Sequence, residues 1–311
     1  MNFPYSDDNK RYHTLNYHLR HTFGQKTVRI PLDAGFTCPN IDGKCGVGGC
    51  IYCSDKGSGD FSPSPLMPLK DQYFAMRSMM SKKWDSAKFI PYLQAHTNTY
   101  APLERLREIY EECLSFPDVC GFSVATRADC ITPEIADYFA DIAKRTYLTV
   151  ELGLQTVHDS TATLINRSHS FDDFLKGYEL LKSRGINICV HLINGLPHES
   201  RDMMLESARR VAKLNPHSIK LHLLYILKNT PIAEMYARGE FEMLTLEQYV
   251  DITVSQLEIM PAKTVIGRLT GDAPKEQLVA PMWSLKKFCV LNEIDKEFVR
   301  RDSFQGIYAD K

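Results

Sequence analysis

Residues 27–53 of the chain read TVRIPLDAGFTCPNIDGKCGVGGCIYC. The first six of these residues, Thr27–Leu32, form a short β-branched and apolar run that predicts a strand. A glycine-rich loop containing Cys38, Cys45, Cys50 and Cys53 follows it. The C-x-x-C pair at Cys50 and Cys53 can place two thiolates on one metal centre, and the glycines let the loop wrap around that centre. The stretch therefore predicts a strand followed by a metal-binding loop.

Three metal centres fit the spacing of these cysteines, and unliganded thiols are a fourth alternative. A zinc site using all four cysteines would close every coordination position and serve only structure. A plant-type [2Fe–2S] cluster can use Cys45, Cys50 and Cys53, but the next downstream cysteine is Cys113. A [4Fe–4S] cluster on Cys38, Cys50 and Cys53 would leave one iron open to a further ligand.

The composition is that of an ordinary soluble globular protein. Hydrophobic residues make up 44% of the 311 residues and charged residues 24%, which excludes wholesale disorder or a coiled coil. The net charge is −1, so a nucleic-acid partner would need a local basic patch. Nine unevenly spaced cysteines predict reduced thiols and a cytoplasmic protein. We expect no signal peptide and no membrane partner, since no long apolar segment is present.

Six short β-branched or aromatic runs alternate with helical patterns along the chain. After the first run their starts lie about 28 to 40 residues apart, the length of one βα unit. This alternation predicts an α/β fold with a parallel sheet, for which an open doubly wound sheet and a curved partial barrel both fit. The runs are residues 27–32, 88–94, 119–126, 147–155, 187–195 and 218–226.

The rhythm of the runs divides the chain into three parts. Residues 1–26 form a basic and aromatic N-terminal arm, and residues 27–230 form the core. Residues 231–311 form a mostly helical C-terminal extension with one possible further strand at 263–268.

Polar residues fall at or just after the predicted strand ends, where a parallel barrel builds its active site. The cysteine loop follows the first strand at this same edge, a position at which a purely structural zinc site has no reason to lie. The polar residues are Gln94, Asn98, Thr126, Arg127, Gln155, Asn194 and Tyr225.

The loop resembles the cluster loop of the radical S-adenosylmethionine (SAM) enzymes, and more narrowly that of the YtqA/YhcC-like family. Its C-P-N-x-D-G…G-x-G-G-C-x-aromatic-C pattern matches residues 38–53, except that Cys45 stands where the pattern has no cysteine. The chain is also similar to the radical SAM domain of the elongator catalytic subunit. The resemblance covers nearly the whole chain and includes residues 98–100, 125–129, 151–156, 166–169, 195–199 and 268–274.

This resemblance implies a partial (β/α)6 TIM-like barrel that carries a [4Fe–4S] cluster and SAM. Cys38, Cys50 and Cys53 would hold the cluster, SAM would chelate the fourth iron, and Cys45 would be a bystander. One electron, from a donor such as flavodoxin or ferredoxin, cleaves SAM to methionine and a 5′-deoxyadenosyl radical that abstracts a substrate hydrogen. The cofactor carries the difficult chemistry, while the protein positions it and excludes water.

Several residues are candidates for cofactor binding, and each has a structural alternative. Glu151 lies inside a strand, where its carboxylate would either face the interior and bind the cofactor or belong to a structural ion pair. Arg167 would hold the SAM carboxylate or a substrate phosphate, or it is a solvated loop arginine. Histidines 191 and 222 are expected to be structural. The full set is Tyr52, Gln94, Asn98, Thr126, Glu151, Gln155, Arg167 and Gly195.

The resemblance also implies a substrate, because the YtqA-like branch is linked to wobble-uridine maturation in tRNA. There a carboxymethylaminomethyl group at uridine C5 is trimmed to aminomethyl, which would begin with hydrogen abstraction beside the carboxylate. Arg127, Arg167 or Lys220 would hold that carboxylate. The alternatives are a radical SAM enzyme acting on a small molecule or peptide, and a non-catalytic zinc-binding RNA-binding protein.

The N-terminal arm offers the clearest local signal for RNA, and its alternative is a helix that covers the bottom of the barrel. The arm's residues are Lys10, Arg11, Arg20, Lys26 and Arg29, interleaved with Tyr12, His13, Tyr17, His18 and His21.

The five remaining cysteines are expected in the core, which argues against a second cluster. The core cysteines are Cys113, Cys120, Cys130, Cys189 and Cys289.

Overall fold

A computed structural model describes residues 3–57 and 59–309. Within them, seven parallel strands form one sheet in the order β1-β2-β3-β4-β5-β6-β8, and β7 and β9 form an antiparallel ribbon. The strands are β1 Thr27–Leu32, β2 Lys88–Leu93, β3 Gly121–Thr126, β4 Tyr147–Gln155, β5 Asn187–Asn194, β6 Ser218–Leu223, β7 Ile226–Leu227, β8 Val265–Arg268 and β9 Leu278–Ala280.

Helices connect the strands and cover the outer face of the sheet. They begin where the sequence supplies caps: Thr132 caps α4 ahead of Pro133, and Ser170 forms a capping box on α6. The helices are α1 Leu15–Phe23, α2 Leu69–Ser81, α3 Leu103–Leu114, α4 Pro133–Ala143, α5 Asp159–Leu164, α6 Phe171–Lys182, α7 Arg201–Leu214, α8 Pro231–Ala237, α9 Leu246–Ile259 and α10 Lys287–Arg300, with 3₁₀ turns at Ala128–Cys130 and Met282–Leu285.

All six predicted strands are confirmed, and the possible further strand at 263–268 in the C-terminal extension is confirmed as a seventh, β8. Strand β8 lies parallel to β6, with Ser218 opposite Val265. Helix α9 returns the chain over the sheet before β8, so this part of the extension repeats the strand–helix–strand pattern. The sheet is therefore one strand wider than the (β/α)6 barrel that the sequence predicted.

The sheet is curled, because side chains from strands that are not neighbours meet on its inner face. Arg29 on β1 contacts Glu151 on β4, although β2 and β3 lie between them. Lys220 on β6 reaches Tyr92 on β2, with 3.2 Å between Nζ and Oη. Only a barrel-like curvature brings these strands together, which confirms the partial barrel rather than a flat, open sheet.

The N-terminal arm packs onto the barrel and the C-terminal helix. Lys10 pairs with Asp295 of α10, and Arg11 donates to the Phe298 and Ser303 carbonyls. Tyr12 is buried, and Arg29 points into the barrel, so these two do not belong to a surface patch. The arm is thus mainly a packed element, as its structural alternative predicted.

Helix α1 adds to this packing at the amino ends of the strands. It contacts β1 and β8, and His18 is 3.1 Å from the Tyr147 hydroxyl at the start of β4. No helix among the described residues is long and apolar enough to cross a bilayer.

Candidate active site in the barrel

One cavity of 740 Å³ runs from the cysteine loop into the interior of the barrel. Because side chains alternate along a strand, every second residue of the sheet faces it, while the residues between pack under the helices. The inward-facing residues are Arg29 and Pro31 on β1, Tyr92 on β2, Ala125 on β3, Glu151 and Gly153 on β4, His191 and Ile193 on β5, Lys220 and His222 on β6, and Arg268 on β8.

Three of the four loop cysteines open onto this cavity. Cys38, Cys50 and Cys53 are part of its wall, whereas Cys45 is exposed and does not occur among the described wall residues. The Cys53 thiol, hydrogen-bonded to Cys50, lowers the pKa of Cys50 to about 7, and the same contact raises the pKa of Cys53. Asn40 also donates to the Cys50 sulfur, with 3.7 Å between Nδ2 and Sγ.

Residues 166–169 hold the cysteine loop in place. The Asn166 amide donates to the carbonyls of Val47 at 3.0 Å and Gly49 at 2.7 Å, and the Ser168 hydroxyl donates to Asn40 Oδ1 at 2.6 Å. Gly46 lies against this contact, since a Cβ there would come within 2.1 Å of Asn40 Oδ1. The loop shape therefore depends on a segment far away in sequence.

Arg127 and Arg167 line the cavity, but their guanidinium groups are bound to the protein itself. Arg127 pairs with both carboxylate oxygens of Asp129, at 3.0 and 2.8 Å, and donates to the Arg167 carbonyl at 2.8 Å. Arg167 is 1% exposed and donates to the carbonyls of Leu154, Thr156 and His169. Both arginines thus fasten loops at the carboxyl end of the barrel, and Arg167 is not a solvated loop residue.

Glu151 is fully buried at the centre of a polar network. It accepts hydrogen bonds from Tyr92 at 2.6 Å and His191 at 2.9 Å, and it forms ion pairs with Arg29 and Lys220. Burial alone would raise the pKa of Glu151, but the charges of Lys220 and Arg29 hold it well below its usual range. The carboxylate faces the interior of the barrel and forms the ion pairs that its structural alternative predicted.

The other predicted site residues divide between the cavity wall and the core behind it. Tyr52, Gln94, Thr126 and Gln155 line the cavity, as does Tyr225. Asn98, Asn194 and Gly195 are not part of the cavity wall, as far as the structure describes that wall. The Asn98 amide instead donates to the carbonyls of Leu93, Ala95 and Ala125, the Asn194 amide pairs with Gln256, and Gly195 has a positive φ of 88° that suits a turn.

The cysteines outside the loop follow the core prediction with one exception. Cys113 and Cys189 are buried, and Cys120 and Cys130 are partly buried. Cys289 is exposed near the start of α10, so its assignment to the core was wrong.

Several wall residues with charged or polar side chains were not predicted to bind cofactor or substrate; four of them are Arg29, which was assigned to the N-terminal arm, and Tyr92, Arg268 and Asp272. A signal exists for three of them, because each interrupts an apolar strand at a position that faces inward. Only the curl of the sheet shows that they share one cavity with Glu151 and Lys220.

The cavity concentrates positive charge in a protein that is nearly neutral overall. Its described wall holds six Lys and Arg residues against three Asp and Glu residues. The basic residues are Arg29, Arg127, Arg167, Lys220, Arg268 and Lys287, and the acidic residues are Asp60, Glu151 and Asp272.

Comparison with known proteins identifies the family of this site. Residues 43–211 match the Radical SAM superfamily, and residues 216–300 match the Radical_SAM C-terminal domain. The chain is 50% identical to YtqA of Bacillus subtilis strain 168 over 309 residues, which is 99% of this chain and 96% of YtqA. The chain belongs to the radical SAM superfamily. The resemblance to the YtqA/YhcC-like family is thereby confirmed.

Two further similarities concern part of the chain and the fold. A tRNA uridine(34) acetyltransferase of Methanocaldococcus infernus is 29% identical over 133 residues, which cover 42% of this chain and 25% of that enzyme. The solved structure of M. infernus Elp3 with an N-terminal deletion has a TM-score of 0.67 at 19% identity, covering 90% of this chain and 65% of that one. The second similarity confirms the fold.

The donor set of the cavity fits the cofactors of radical SAM enzymes. These cofactors are a [4Fe–4S] cluster and SAM, and membership of the superfamily assigns both to this chain. Three thiols that open onto one cavity, with the fourth outside, suit a cluster that keeps one iron for a non-protein ligand. Membership also favours the cluster over the alternative of a structural zinc site.

Proposed function

We propose that this radical SAM enzyme acts on tRNA and converts the carboxymethylaminomethyl group at C5 of the wobble uridine to aminomethyl. The observation that carries the proposal is the cavity, in which three cysteines and six basic side chains share one wall. A cationic interior suits a substrate group that carries a carboxylate.

Each part of the cavity has a role in this proposal. Cys38, Cys50 and Cys53 would hold the cluster, and Cys45 would stay outside it. When bound, the cluster and SAM would supply hydrogen-atom abstraction from the carbon beside the carboxylate and a one-electron oxidation of the resulting radical, after which water would release the two carboxymethyl carbons as glyoxylate and leave the aminomethyl group. The wall residues predicted to bind SAM are Tyr52, Gln94, Thr126, Glu151, Gln155 and Arg167; Asn98 and Gly195 would act only through the backbone that they support.

Three observations support tRNA as the substrate: the similar proteins, the enclosed cavity, and an exposed apolar surface beside the cavity. The chain is similar to a tRNA uridine(34) acetyltransferase and shares its fold with Elp3. A wobble base must leave its stack to enter a cavity inside a barrel, and the cavity of 740 Å³ offers such an enclosed space. Beside the cavity lies an exposed ridge of Met282, Leu285 and Phe288, which we call the apolar ridge.

The apolar ridge suits a nucleic acid because basic side chains flank it. Met282 and Leu285 are three residues apart on the 3₁₀ turn, which puts them on one side of it, and Phe288 follows at the start of α10. Leu285 and Lys287 line the cavity, Lys286 is exposed, and Phe288 is 81% exposed. An exposed aromatic ring beside lysines is the combination on which unpaired bases stack.

The proposal includes an electron donor such as flavodoxin or ferredoxin and a cytoplasmic location, where tRNA and reduced thiols are found. All nine cysteines are free, which agrees with a reducing compartment.

Mass spectrometry of tRNA nucleosides from a deletion strain tests the function. Loss of the gene should leave carboxymethylaminomethyl uridine at the wobble position and remove the aminomethyl product and anything made from it. Restoring the wild-type gene should reverse this, whereas a gene with Cys50→Ala should not. Unchanged wobble nucleosides would reject tRNA and favour a small molecule or peptide as the substrate.

A further inference from the structure

We propose that Arg268 and Lys220 form the subsite that binds the carboxylate of the substrate. The inference rests on the proposed function and deepens it, because it names the side chains that distinguish a carboxymethylaminomethyl group from an aminomethyl group. Three observations carry it. The two side chains lie next to each other, each of them shares its carboxylate partner with another cation, and Arg268 has free hydrogen-bond donors.

The two cations lie side by side on the wall of the cavity. Lys220 on β6 and Arg268 on β8 are opposite each other in the parallel register. Gly267 leaves room for the Lys220 side chain to run along the wall, since a Cβ there would lie 3.1 Å from Lys220 Cγ. Both side chains line the cavity, Lys220 as a buried residue and Arg268 with 31% of its side chain exposed.

Each acidic partner on this wall is shared between two cations. Glu151 neutralises Arg29 and Lys220 together. Asp272 serves both Arg268, at 3.4 Å from Nη2 to Oδ2, and Lys287, at 3.0 Å. Two carboxylates for four cations leave an excess of two positive charges on this part of the wall, which a substrate carboxylate would reduce to one.

Arg268 differs from the other two arginines that line the carboxyl end of the cavity. Arg127 and Arg167 donate to Asp129 and to backbone carbonyls. For Arg268 the described residues supply only the long ion pair to Asp272 and no hydrogen bond at normal distance. Its planar fork therefore keeps donors for a bidentate contact, the geometry in which arginine binds a carboxylate.

The histidines and tyrosines next to the two cations add no negative charge, and Asp60 is the one further carboxylate of the described wall. Burial lowers the pKa of His191 to about 4 and that of His222 well below its usual range, so both imidazoles are neutral near pH 7. Burial raises the pKa of Tyr92 and Tyr225, which keeps both phenols protonated. His222 Nε2 has no hydrogen-bond partner among the described residues and is available to a ligand.

The binding test compares two anticodon stem-loop RNAs that differ only in the wobble substituent. One carries carboxymethylaminomethyl uridine and the other aminomethyl uridine, and fluorescence anisotropy measures their affinity for the cluster-loaded protein without SAM or reductant. We expect the wild type to bind the carboxylate RNA about tenfold more tightly, the scale of a charge-assisted hydrogen bond.

Two variants of Arg268 separate the fork from the charge. Arg268→Gln should remove most of the preference, and Arg268→Lys should keep part of it, because lysine retains the charge without the planar fork. Arg238→Gln is the matched control, since it removes one exposed arginine that pairs with Glu240. It should keep the full preference. Iron content and circular dichroism verify that each variant is folded.

The outcomes separate failure of the subsite from failure of the function. A wild type with the preference and an Arg268→Gln variant that retains it would overturn the subsite alone. SAM affinity, measured by equilibrium dialysis, is the second arm: a large loss in Arg268→Gln with the RNA preference intact would assign Arg268 to the SAM carboxylate instead. A wild type without any preference, together with unchanged nucleosides in the deletion strain, would overturn both.

Discussion

Cys45 shares its loop with three cysteines of the cavity wall, yet its surroundings differ. Its sulfur lies 3.6 Å from Arg127 Nη2 on the exposed side of the loop. Spacing alone could not separate Cys45 from Cys38, because both precede the C-x-x-C pair at distances that a metal loop allows. The side of the loop on which each thiol lies is set by residues 166–169, which are far away in sequence.

Replacing single cysteines tests whether Cys45 lies outside the set of cluster ligands. Cys45→Ala should keep about four irons per chain after anaerobic reconstitution, and Cys50→Ala should lose the cluster. Iron analysis and the visible absorption spectrum measure both, with Cys289→Ala as the control for an exposed thiol. Loss of iron from Cys45→Ala would contradict the assignment.

Glu151 is the residue on which the polar network of the barrel depends. Glu151→Gln removes the charge that compensates Arg29 and Lys220, so we expect the free energy of unfolding to fall by about 3 kcal/mol. Urea denaturation measures the change. Glu293→Gln, which breaks an exposed pair with Lys296, should cost less than about 0.5 kcal/mol. Equal costs for the two variants would show that the network is not stabilising.

Helix α1 closes the amino end of the barrel over a group of imidazoles. His18 and His217 both contact the Tyr147 hydroxyl, at 3.1 and 2.9 Å, and their rings lie 5.0 Å apart. Burial, together with the nearby His13 and Arg29, lowers the pKa of each to about 4. The sequence suggested His18 as an RNA contact, but the packing of α1 makes it, together with His217, part of the fold.

These lowered pKa values predict how stability depends on pH. The unfolded chain takes up protons near the ordinary pKa of 6.5, while the folded protein does so only near 4. The contribution of the two histidines is therefore complete above about pH 6.5 and is lost as the pH falls toward about 4. Urea denaturation at about pH 7.5 and about pH 5 should show this loss. His217→Gln should reduce the loss, and an unchanged loss would contradict the prediction.

The apolar ridge is the element that we expect to contact RNA outside the cavity. Phe288→Ala should weaken binding of an anticodon stem-loop about tenfold, the scale of one lost stacking contact. Val299→Ala, an exposed apolar residue near the other end of α10, is the control and should bind as the wild type does. Filter binding at fixed salt measures both. Equal affinity of Phe288→Ala and the wild type would remove the ridge from the interface.

Six strands of the sheet were predictable because each is a β-branched run of six or more residues between clear turn and cap signals. The seventh, β8, has four residues and contains Gly267, so the sequence indicated it only as a possible further strand at 263–268. The ribbon of β7 and β9 is shorter still, and its pairing of Ile226 with Ala280 is long-range. Such pairings depend on the closed fold and not on local propensity.

The molecule as a whole is nearly neutral, and this hid the charge of its interior. Arg29, Lys220 and Arg268 are spread across most of the chain, and only the curled sheet places them around one cavity. The cysteine loop was recognisable because its ligands are local in sequence. Of the proposed subsite, Lys220 was a candidate from the sequence, but its pairing with Arg268 was not, because no local spacing connects β6 and β8.

Anaerobic reconstitution with iron, sulfide, SAM and dithionite tests the central claim most directly, with 5′-deoxyadenosine and the wobble nucleoside both measured by mass spectrometry. With tRNA that carries carboxymethylaminomethyl uridine, the account predicts that 5′-deoxyadenosine and aminomethyl uridine are both formed. Neither product should form with Cys50→Ala. Formation of 5′-deoxyadenosine while the wobble nucleoside stays unchanged would contradict the tRNA substrate. Absence of 5′-deoxyadenosine from a protein that holds its full complement of iron would contradict radical SAM chemistry in this cavity.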